Sequence, residues 1–311
     1  MTSSGAAIEI RGVSKWFGGY AAVDDLTLTV PRGSVYGFIG PNGSGKTTTL
    51  RMTMNILLPD AGDIVVLGER TTAAARDRVS YLPEERGLYK KMTVRELLRY
   101  YGRLKSVPRA QLDGVIERWL DRLQLVDRGH LKIESLSKGQ AQKVQFIAAV
   151  VSEPELLILD EPFSGLDPVN AEAIKDAVLA LRDRGTTIVF STHDMATAER
   201  LCDRIFMIFR GRKVLDGTLA EIQSQYGADT IRVRSDGGRA ALDGMPGVER
   251  VVDQGNVQEV RVLGDPQAFL RALVARTRVQ QFELTRPSLH DIFVRIAEPS
   301  RVDPDAPAGA Q

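Results

Sequence analysis

A glycine-rich loop between an apolar segment and a helix constrains this fold more than any other stretch of the sequence. Residues 34–39 (SVYGFI) are short and mostly apolar, which is typical of a buried strand, and residues 49–54 can continue as a helix. The loop between them has the spacing G-x-x-x-x-G-K-T, which predicts a backbone cradle for phosphate groups. Its residues are Gly40, Pro41, Asn42, Gly43, Ser44, Gly45, Lys46, Thr47 and Thr48.

Two side chains of this loop carry the expected chemistry. Lys46 can reach the β- and γ-phosphates of a nucleotide as a positive charge, and the Thr47 hydroxyl can bind Mg²⁺. The helix that follows adds the positive end of its dipole. The loop therefore predicts a nucleoside triphosphate site with a magnesium ion, whereas the use of the nucleotide has to be inferred from the rest of the chain.

Composition narrows the class of protein. The chain has 311 residues, which suits about two domains, and its formal charge of +1 does not favour nucleic acid as a partner. The one cysteine, Cys202, cannot form an internal disulfide. No apolar run reaches the ~18 residues of a membrane-spanning helix, and the N-terminus lacks the pattern of a signal peptide. We therefore expect a globular protein of a reducing compartment.

Two acidic residues follow a second apolar segment. Residues 156–159 (LLIL) are continuously apolar, as in a parallel strand buried on both faces, and Asp160 and Glu161 come directly after them. The carboxyl ends of such strands are where α/β sheets bind ligands. Asp160 can hold Mg²⁺, and Glu161 can orient or deprotonate a water molecule. The alternative is that both are solvated carboxylates at a strand end.

His193 and Phe17 each allow two interpretations. His193 follows an apolar segment at residues 186–190 and could donate a hydrogen bond to a γ-phosphate, or it could be a residue without function beside a helix N-cap. Phe17 lies in an aromatic turn at residues 15–20 and could stack on a purine base, or it could pack in the core.

Residues 136–140 (LSKGQ) form a capping box ahead of a helix. Ser137 and Gln140 are the two capping residues, and Gly139 lets another backbone come close. The N-terminus of this helix suits an anion, although a plain helix cap is the simpler interpretation of the pentapeptide alone.

The pattern of helices and strands divides the chain. We expect a nucleotide-binding domain at residues 1–225, with a mainly helical subdomain at about 84–151. From residue 230 the predicted order is strand, helix, strand, strand, helix, strand and a final helix, which indicates a small ferredoxin-like α+β domain at 226–298. Residues 299–311 are rich in proline and small residues, and we expect this tail to be disordered.

These motifs, in this order, resemble those of the ATP-binding subunit of ABC transporters over roughly residues 8–225. The resemblance implies an α/β fold of the P-loop NTPase class, with a RecA-like core, an antiparallel β-subdomain and a helical subdomain. It also implies ATP and Mg²⁺ as cofactors. By this resemblance Phe17 would stack on adenine, residues 40–48 would form the Walker A loop, and Asp160 would be the Walker B aspartate. Glu161 would be the catalytic glutamate, residues 164–167 the D-loop, and His193 the switch histidine. Residues 136–140 would be the signature sequence, which would contact the ATP of an opposite subunit.

Two positions depart from the family pattern. Lys138 stands where the signature usually has glycine, and Glu84 stands where the family usually has a glutamine near Mg²⁺. A carboxylate is also an oxygen ligand, so Glu84 could join the magnesium shell when ATP is bound. The alternative is that Glu84 is a surface carboxylate and that Glu85, or no residue, takes this role.

The C-terminal residues 287–293 (PSLHDIF) are similar to those of sodium-extrusion and drug-resistance exporter ATPases. The resemblance implies an ATP-hydrolysing subunit that works as a homodimer and drives separate multi-spanning permease subunits from the cytoplasmic face of the membrane. Export is the implied direction. Two alternatives remain, namely a non-transport ABC ATPase acting on translation or DNA and a regulatory module that holds ATP without hydrolysing it. Glu161 argues against the second, and the single cassette and the charge argue against the first.

Overall fold

The chain divides into two compact units, residues 1–218 and residues 219–311. The computed structural model describes residues 5–70, 75, 77–85, 87–226 and 230–297, so the tail expected to be disordered lies outside it. The division falls seven residues before the boundary expected from the sequence, because the helix Leu219–Gln225 belongs to the second unit. Its Gln223 side chain donates a hydrogen bond to the Pro287 carbonyl at 3.0 Å.

An antiparallel sheet opens the first unit. Strands β1 (Ala6–Phe17) and β2 (Tyr20–Pro31) form a long hairpin, and β4 (Ala61–Val66) pairs with the other edge of β1. The sequence predicted an aromatic turn at residues 15–20. In the structure both strands run through that stretch, and the turn itself is only Gly18 and Gly19, since Phe17 and Tyr20 are already paired across the hairpin.

A six-stranded sheet forms the centre of this unit. Its strands are β3 (Val35–Ile39), β5 (Val79–Leu82), β6 (Leu156–Asp160), β7 (Thr187–Thr192), β8 (Arg204–Phe209) and β9 (Arg212–Gly217). Their order is β5-β6-β7-β3-β8-β9, and all neighbours are parallel except β8 and β9. Every residue of β3, β6 and β7 is buried, as the apolar runs predicted. The carboxyl ends of these three strands therefore meet at one edge.

The first unit also contains the α-helices that connect these strands. They are α1 (Lys46–Thr53), α2 (Val94–Leu104), α3 (Arg109–Arg122), α4 (Lys138–Val150), α5 (Pro168–Asp183) and α6 (Met195–Leu201). Thr93 and Ser137 begin α2 and α4 with complete capping boxes; the S/T-x-x-E/Q spacing of Thr93 with Glu96 and of Ser137 with Gln140 predicts both. Within the described ranges no helix has the length and apolarity to cross a bilayer.

The second unit is a four-stranded antiparallel sheet with helices. After α7 (Leu219–Gln225) come β10 (Thr230–Ser235), β11 (Val248–Asp253), β12 (Gln258–Val262), α8 (Pro266–Arg276), β13 (Val279–Thr285) and α9 (Leu289–Ala297). The sheet order β11-β12-β10-β13 is that of a ferredoxin-like domain. The helix expected at about 239–242 is instead a short 3₁₀ turn, Gly238–Ala241. The hydrophobic core of this second unit includes Ile231, Val260, Phe269 and Leu273.

Candidate functional site

The phosphate loop runs from the end of β3 to the start of α1 against neighbouring backbone. Gly40 and Gly45 have φ angles of 150° and 110°, which L side chains rarely adopt. A Cβ atom on Gly40 would lie 2.3 Å from the Ile208 carbonyl oxygen, and one on Gly45 would lie 2.5 Å from that of Ala22. Only glycine fits at these two positions, so the spacing seen in the sequence has a steric basis.

Lys46 is buried inside this loop. Its side chain is only 6% exposed, and its Nζ donates to the carbonyl oxygens of Gly40 at 2.7 Å and Pro41 at 3.1 Å. Burial lowers the pKa of Lys46, while the charges of Glu161, Asp160 and Glu84 act in the opposite direction. The buried Ser44 hydroxyl has no hydrogen-bond partner among the residues that the structure describes. A cation held on weak carbonyl acceptors, beside an unpaired hydroxyl, is an arrangement that an anion would satisfy.

Hydroxyl groups surround the Asp160 carboxylate at the end of β6. Thr47 Oγ1 donates to Asp160 Oδ1 at 3.1 Å, and Ser191 Oγ donates to the same oxygen at 2.5 Å. The Tyr81 hydroxyl donates to Oδ2 at 3.3 Å. Burial, followed by the charge of Asp160, raises the pKa of Tyr81 to about 12, which keeps this hydroxyl protonated as a donor.

The donor set around Asp160 fits a magnesium ion. Thr47 and Asp160 offer hard oxygen atoms, which Mg²⁺ prefers to nitrogen or sulfur. In the part of the chain that the structure describes, no three His, Cys, Asp or Glu side chains cluster as a metal cage. Mg²⁺ suits such an open site, because it usually binds to one or two protein ligands together with water and substrate phosphate oxygens.

Glu161 lies between a cation and an imidazole. Its side chain is nearly buried, its Oε1 atom is 3.0 Å from His193 Nδ1, and the same atom is 4.0 Å from Lys46 Nζ. The residue has a φ of 49°, in the left-handed region that non-glycine residues seldom occupy. Backbone strain of this kind clusters at functional sites. The structure thus brings together Lys46, Glu161 and His193, which lie in three separate parts of the sequence.

A cavity of about 520 Å³ connects the aromatic hairpin with the phosphate loop. Its lining includes Phe17, Tyr20, the loop from Asn42, Glu84 and Glu161. Phe17 is 51% exposed, so it is not a core residue, and its ring is open to a ligand in the cavity. Glu84 is exposed and faces the same cavity. Glu85, the alternative, lines a different cavity of about 670 Å³.

The capping residues of α4 lie outside the 520 Å³ cavity. Ser137 Oγ accepts from the Gln140 backbone N–H at 3.3 Å, and Gln140 Oε1 accepts from the Ser137 N–H at 3.1 Å. Gly139 lies so close to Asn170 that a Cβ atom would be 2.7 Å from the amide nitrogen. Lys138, the first residue of α4, is exposed. The structure therefore does not bring these residues to the phosphate loop of the same chain.

Sequence reasoning missed three contributors to this site. Tyr20 faces Phe17 across the hairpin, and its hydroxyl donates to the Gly43 carbonyl at 3.4 Å. Tyr81 and Ser191 both donate to Asp160 from neighbouring strands. The only signal in the sequence for Ser191 was its place at the end of an apolar segment, two residues before His193.

In this sheet a glycine-rich loop follows one parallel strand, β3, and acidic residues stand at the end of another, β6. This arrangement defines the phosphate-loop class of nucleotide-binding proteins. A model of the ABC transporter family matches residues 23–164, and a model of the C-terminal domain of DrrA1-3-like ATP-binding proteins matches residues 217–297.

Individual proteins are similar to this one over nearly the whole chain. An uncharacterized ABC transporter ATP-binding protein, YhaQ, of Bacillus subtilis strain 168 is 40% identical over 92% of this chain and 97% of its own length. The Nod factor export ATP-binding protein I of Burkholderia lata is 34% identical over 94% of this chain and 97% of its own length. A solved ATP-binding subunit of an ABC transporter superposes with a TM-score of 0.67 at 33% identity, covering 71% of this chain and 93% of that one. The chain therefore belongs to the ATP-binding subunits of ABC transporters, a family that hydrolyses ATP to power transport.

Proposed function

We propose that this chain binds ATP with Mg²⁺ in the 520 Å³ cavity and hydrolyses it there. The loop from Gly40 to Thr48 would hold the phosphates through its backbone N–H groups, with Lys46 on the β- and γ-phosphates. Phe17 would stack on the adenine ring. This arrangement is supported by the half-exposed Phe17 ring and the buried lysine, which both line the cavity.

Thr47, Asp160 and Glu84 would hold the metal ion. Mg²⁺, when bound there, would supply positive charge that neutralises the charge developing on the phosphates. Asp160 is supported by its contact with Thr47, and Glu84 by its place on the same cavity wall. The negative charge of Glu84 attracts a cation but repels a γ-phosphate at close range. Glu84 would therefore come close to the phosphates only when the metal ion is bound.

Glu161 and His193 would act on the attacking water. Glu161 accepts a hydrogen bond from the water and orients it toward the γ-phosphate, while His193 donates a hydrogen bond to that phosphate. The single observation that carries the proposal is the convergence of Lys46, Asp160 and Glu161 at one sheet edge, each at most 9% exposed. Buried charges are costly, and such a cluster beside a cavity indicates a site that uses them.

We further propose that two copies of the chain share their ATP molecules. Ser137, Gly139 and Gln140 stand at the N-terminus of α4 and do not line the cavity of their own chain. In a symmetric dimer they would contact the ATP of the second copy, which makes the two sites equivalent. The ATP-binding domain would correspond to residues 1–218, with residues 84–151 as its helical subdomain.

The partners of the dimer would be separate permease subunits, and the chain would lie on the cytoplasmic face of the membrane through them. Export is the direction we propose, because the relative in Burkholderia lata is named an export ATP-binding protein and residues 217–297 match the DrrA1-3-like C-terminal domain. Nucleic acid is not an expected partner.

The test of this proposal is the variant Glu161→Gln. It should bind ATP with about wild-type affinity, lose nearly all hydrolysis, and run as a dimer in size-exclusion chromatography with ATP and Mg²⁺, because the nucleotide stays intact between two copies. Glu172→Gln is the matched control, since Glu172 is a surface residue paired with Lys175. Normal hydrolysis by a monomeric Glu161→Gln protein would refute the assignment.

A further inference from the structure

The Ser191 hydroxyl contacts both acidic residues of the site at once. Its hydrogen is donated to Asp160 Oδ1 at 2.5 Å, and its oxygen accepts the Glu161 backbone N–H at 3.0 Å. Ser191 is completely buried in β7. A serine hydroxyl has one donor and two acceptor positions, so the donor and one acceptor of this buried group are used on two adjacent residues.

Strand pairing places the hydroxyl at this junction. β6 and β7 are parallel, and Asp160 is the direct partner of Ser191 in the register. Glu161 is the first residue after β6, where the chain leaves the sheet with a positive φ of 49°. The hydrogen bond that the Ser191 hydroxyl accepts from the Glu161 N–H therefore holds the Glu161 backbone, whose unusual conformation sets the direction of its side chain.

The same hydroxyl limits the rotation of the Asp160 carboxylate. Oδ1 receives hydrogen bonds from both Ser191 and Thr47, whereas Oδ2 receives one from Tyr81. With Ser191 in place, Oδ1 stays directed toward the Thr47 hydroxyl, the second oxygen atom that we assign to the metal ion. Without it, the longer contacts of Thr47 and Tyr81 would be left to orient the carboxylate among the residues that the structure describes.

We propose that Ser191 is a positioning residue, whose hydroxyl orients Asp160 toward the metal ion and Glu161 toward the attacking water. The inference rests on the proposed function, since it takes the roles of Asp160 and Glu161 from there.

The experiment uses the full chain with Ser191→Ala, the rescue variant Ser191→Thr, and the control Ser80→Ala. Ser80 is also a buried strand serine, but its hydroxyl contacts the Ser152 hydroxyl. Three quantities are measured, namely the affinity for a fluorescent ATP analogue in EDTA, the affinity for Mn²⁺ in the presence of ADP by electron paramagnetic resonance, and kcat with KM for ATP hydrolysis.

Ser191→Ala should bind the analogue in EDTA like the wild type, because the phosphate loop is intact. Its Mn²⁺ affinity and its kcat should each fall about 10- to 100-fold, the usual cost of losing a group that orients a metal ligand, with little change in KM. Ser191→Thr keeps the hydroxyl and should restore kcat and Mn²⁺ affinity to near the wild-type values. Ser80→Ala should leave all three quantities unchanged.

Three results would overturn the inference. The first is a Ser191→Ala protein that matches Ser80→Ala in Mn²⁺ affinity and kcat. The second is a loss of analogue binding in EDTA as large as the loss of kcat, which indicates a purely structural role. The third is a folded Ser191→Thr protein without recovery. These results leave the proposed function standing as long as Glu161→Gln blocks hydrolysis, whereas hydrolysis by Glu161→Gln would remove the basis of both.

Discussion

The six-stranded sheet of the first unit and the four-stranded sheet of the second unit differ in where their charged side chains lie. In the six-stranded sheet of residues 1–218, charged side chains are buried at the strand ends, with Asp160 only 1% exposed. In the four-stranded sheet of the second unit, charges form surface pairs such as Arg232 with Glu259 at 3.0 Å and Arg261 with Glu249 at 2.8 Å. Among the described residues of that unit, the buried polar side chains are the uncharged Thr230 and Gln258.

This difference follows from strand direction. Parallel neighbours place their carboxyl ends at the same edge, so groups from β3, β6 and β7 meet there and compensate one another's burial. An antiparallel sheet sends successive strand ends to opposite edges and gathers no such cluster. Ion pairs near the surface typically contribute about 1 kcal/mol or less each, so breaking either of these two pairs should cost little. We therefore place the proposed chemistry in the first unit.

The largest effect should follow Lys46→Ala, which tests whether the buried charges of the first unit serve ATP binding and hydrolysis. The variant removes the buried cation that faces the phosphates, and we expect it to lose most ATP binding and to reduce hydrolysis on the order of a hundredfold or more. ATPase rates and equilibrium binding of a fluorescent ATP analogue measure both losses. Lys91→Ala is the control, because Lys91 is an exposed lysine paired with Glu134. Wild-type turnover in Lys46→Ala would show that the buried charges are structural only.

A smaller effect is expected at Glu84. Glu84→Ala should reduce Mg²⁺-dependent hydrolysis about tenfold, because it removes an oxygen ligand from the metal side of the cavity. Glu84→Gln retains an oxygen ligand and should stay active. A magnesium titration of the ATPase rate compares these variants with Glu85→Ala, whose side chain belongs to a different cavity. If Glu84→Ala matched the wild type at every magnesium concentration, this exposed carboxylate would have no role at the ion.

The smallest effect should follow removal of the whole second unit. A chain that ends at Thr218 retains every residue that lines the 520 Å³ cavity, so we expect it to bind ATP with about the wild-type affinity. Binding of the fluorescent analogue measures this, and circular dichroism with a cooperative thermal transition checks that the shortened chain is folded. A folded but non-binding fragment would mean that the first unit does not form its site alone.

Local patterns in the sequence predicted much of this fold and the residues proposed for the site. The glycine spacing of the phosphate loop, the apolar runs of β3 and β6 and the capping boxes of α2 and α4 are short-range features, because each depends on residues within one or two turns or one strand. The length of the β1–β2 hairpin was missed, since aromatic residues suit a twisted strand as well as a turn.

The residue types at the strand ends, and with them the class of chemistry, can be recognised from the amino-acid sequence. Which of these residues touch depends on how the strands are arranged in the folded chain. Thr47, Asp160 and Ser191 are separated by 113 and 31 residues, yet they share one carboxylate oxygen. Their meeting depends on the order and register of β3, β6 and β7, which are set by burial of both faces of the sheet. A shift of one residue in register would turn these side chains to the other face, so no local stretch of sequence contains that information.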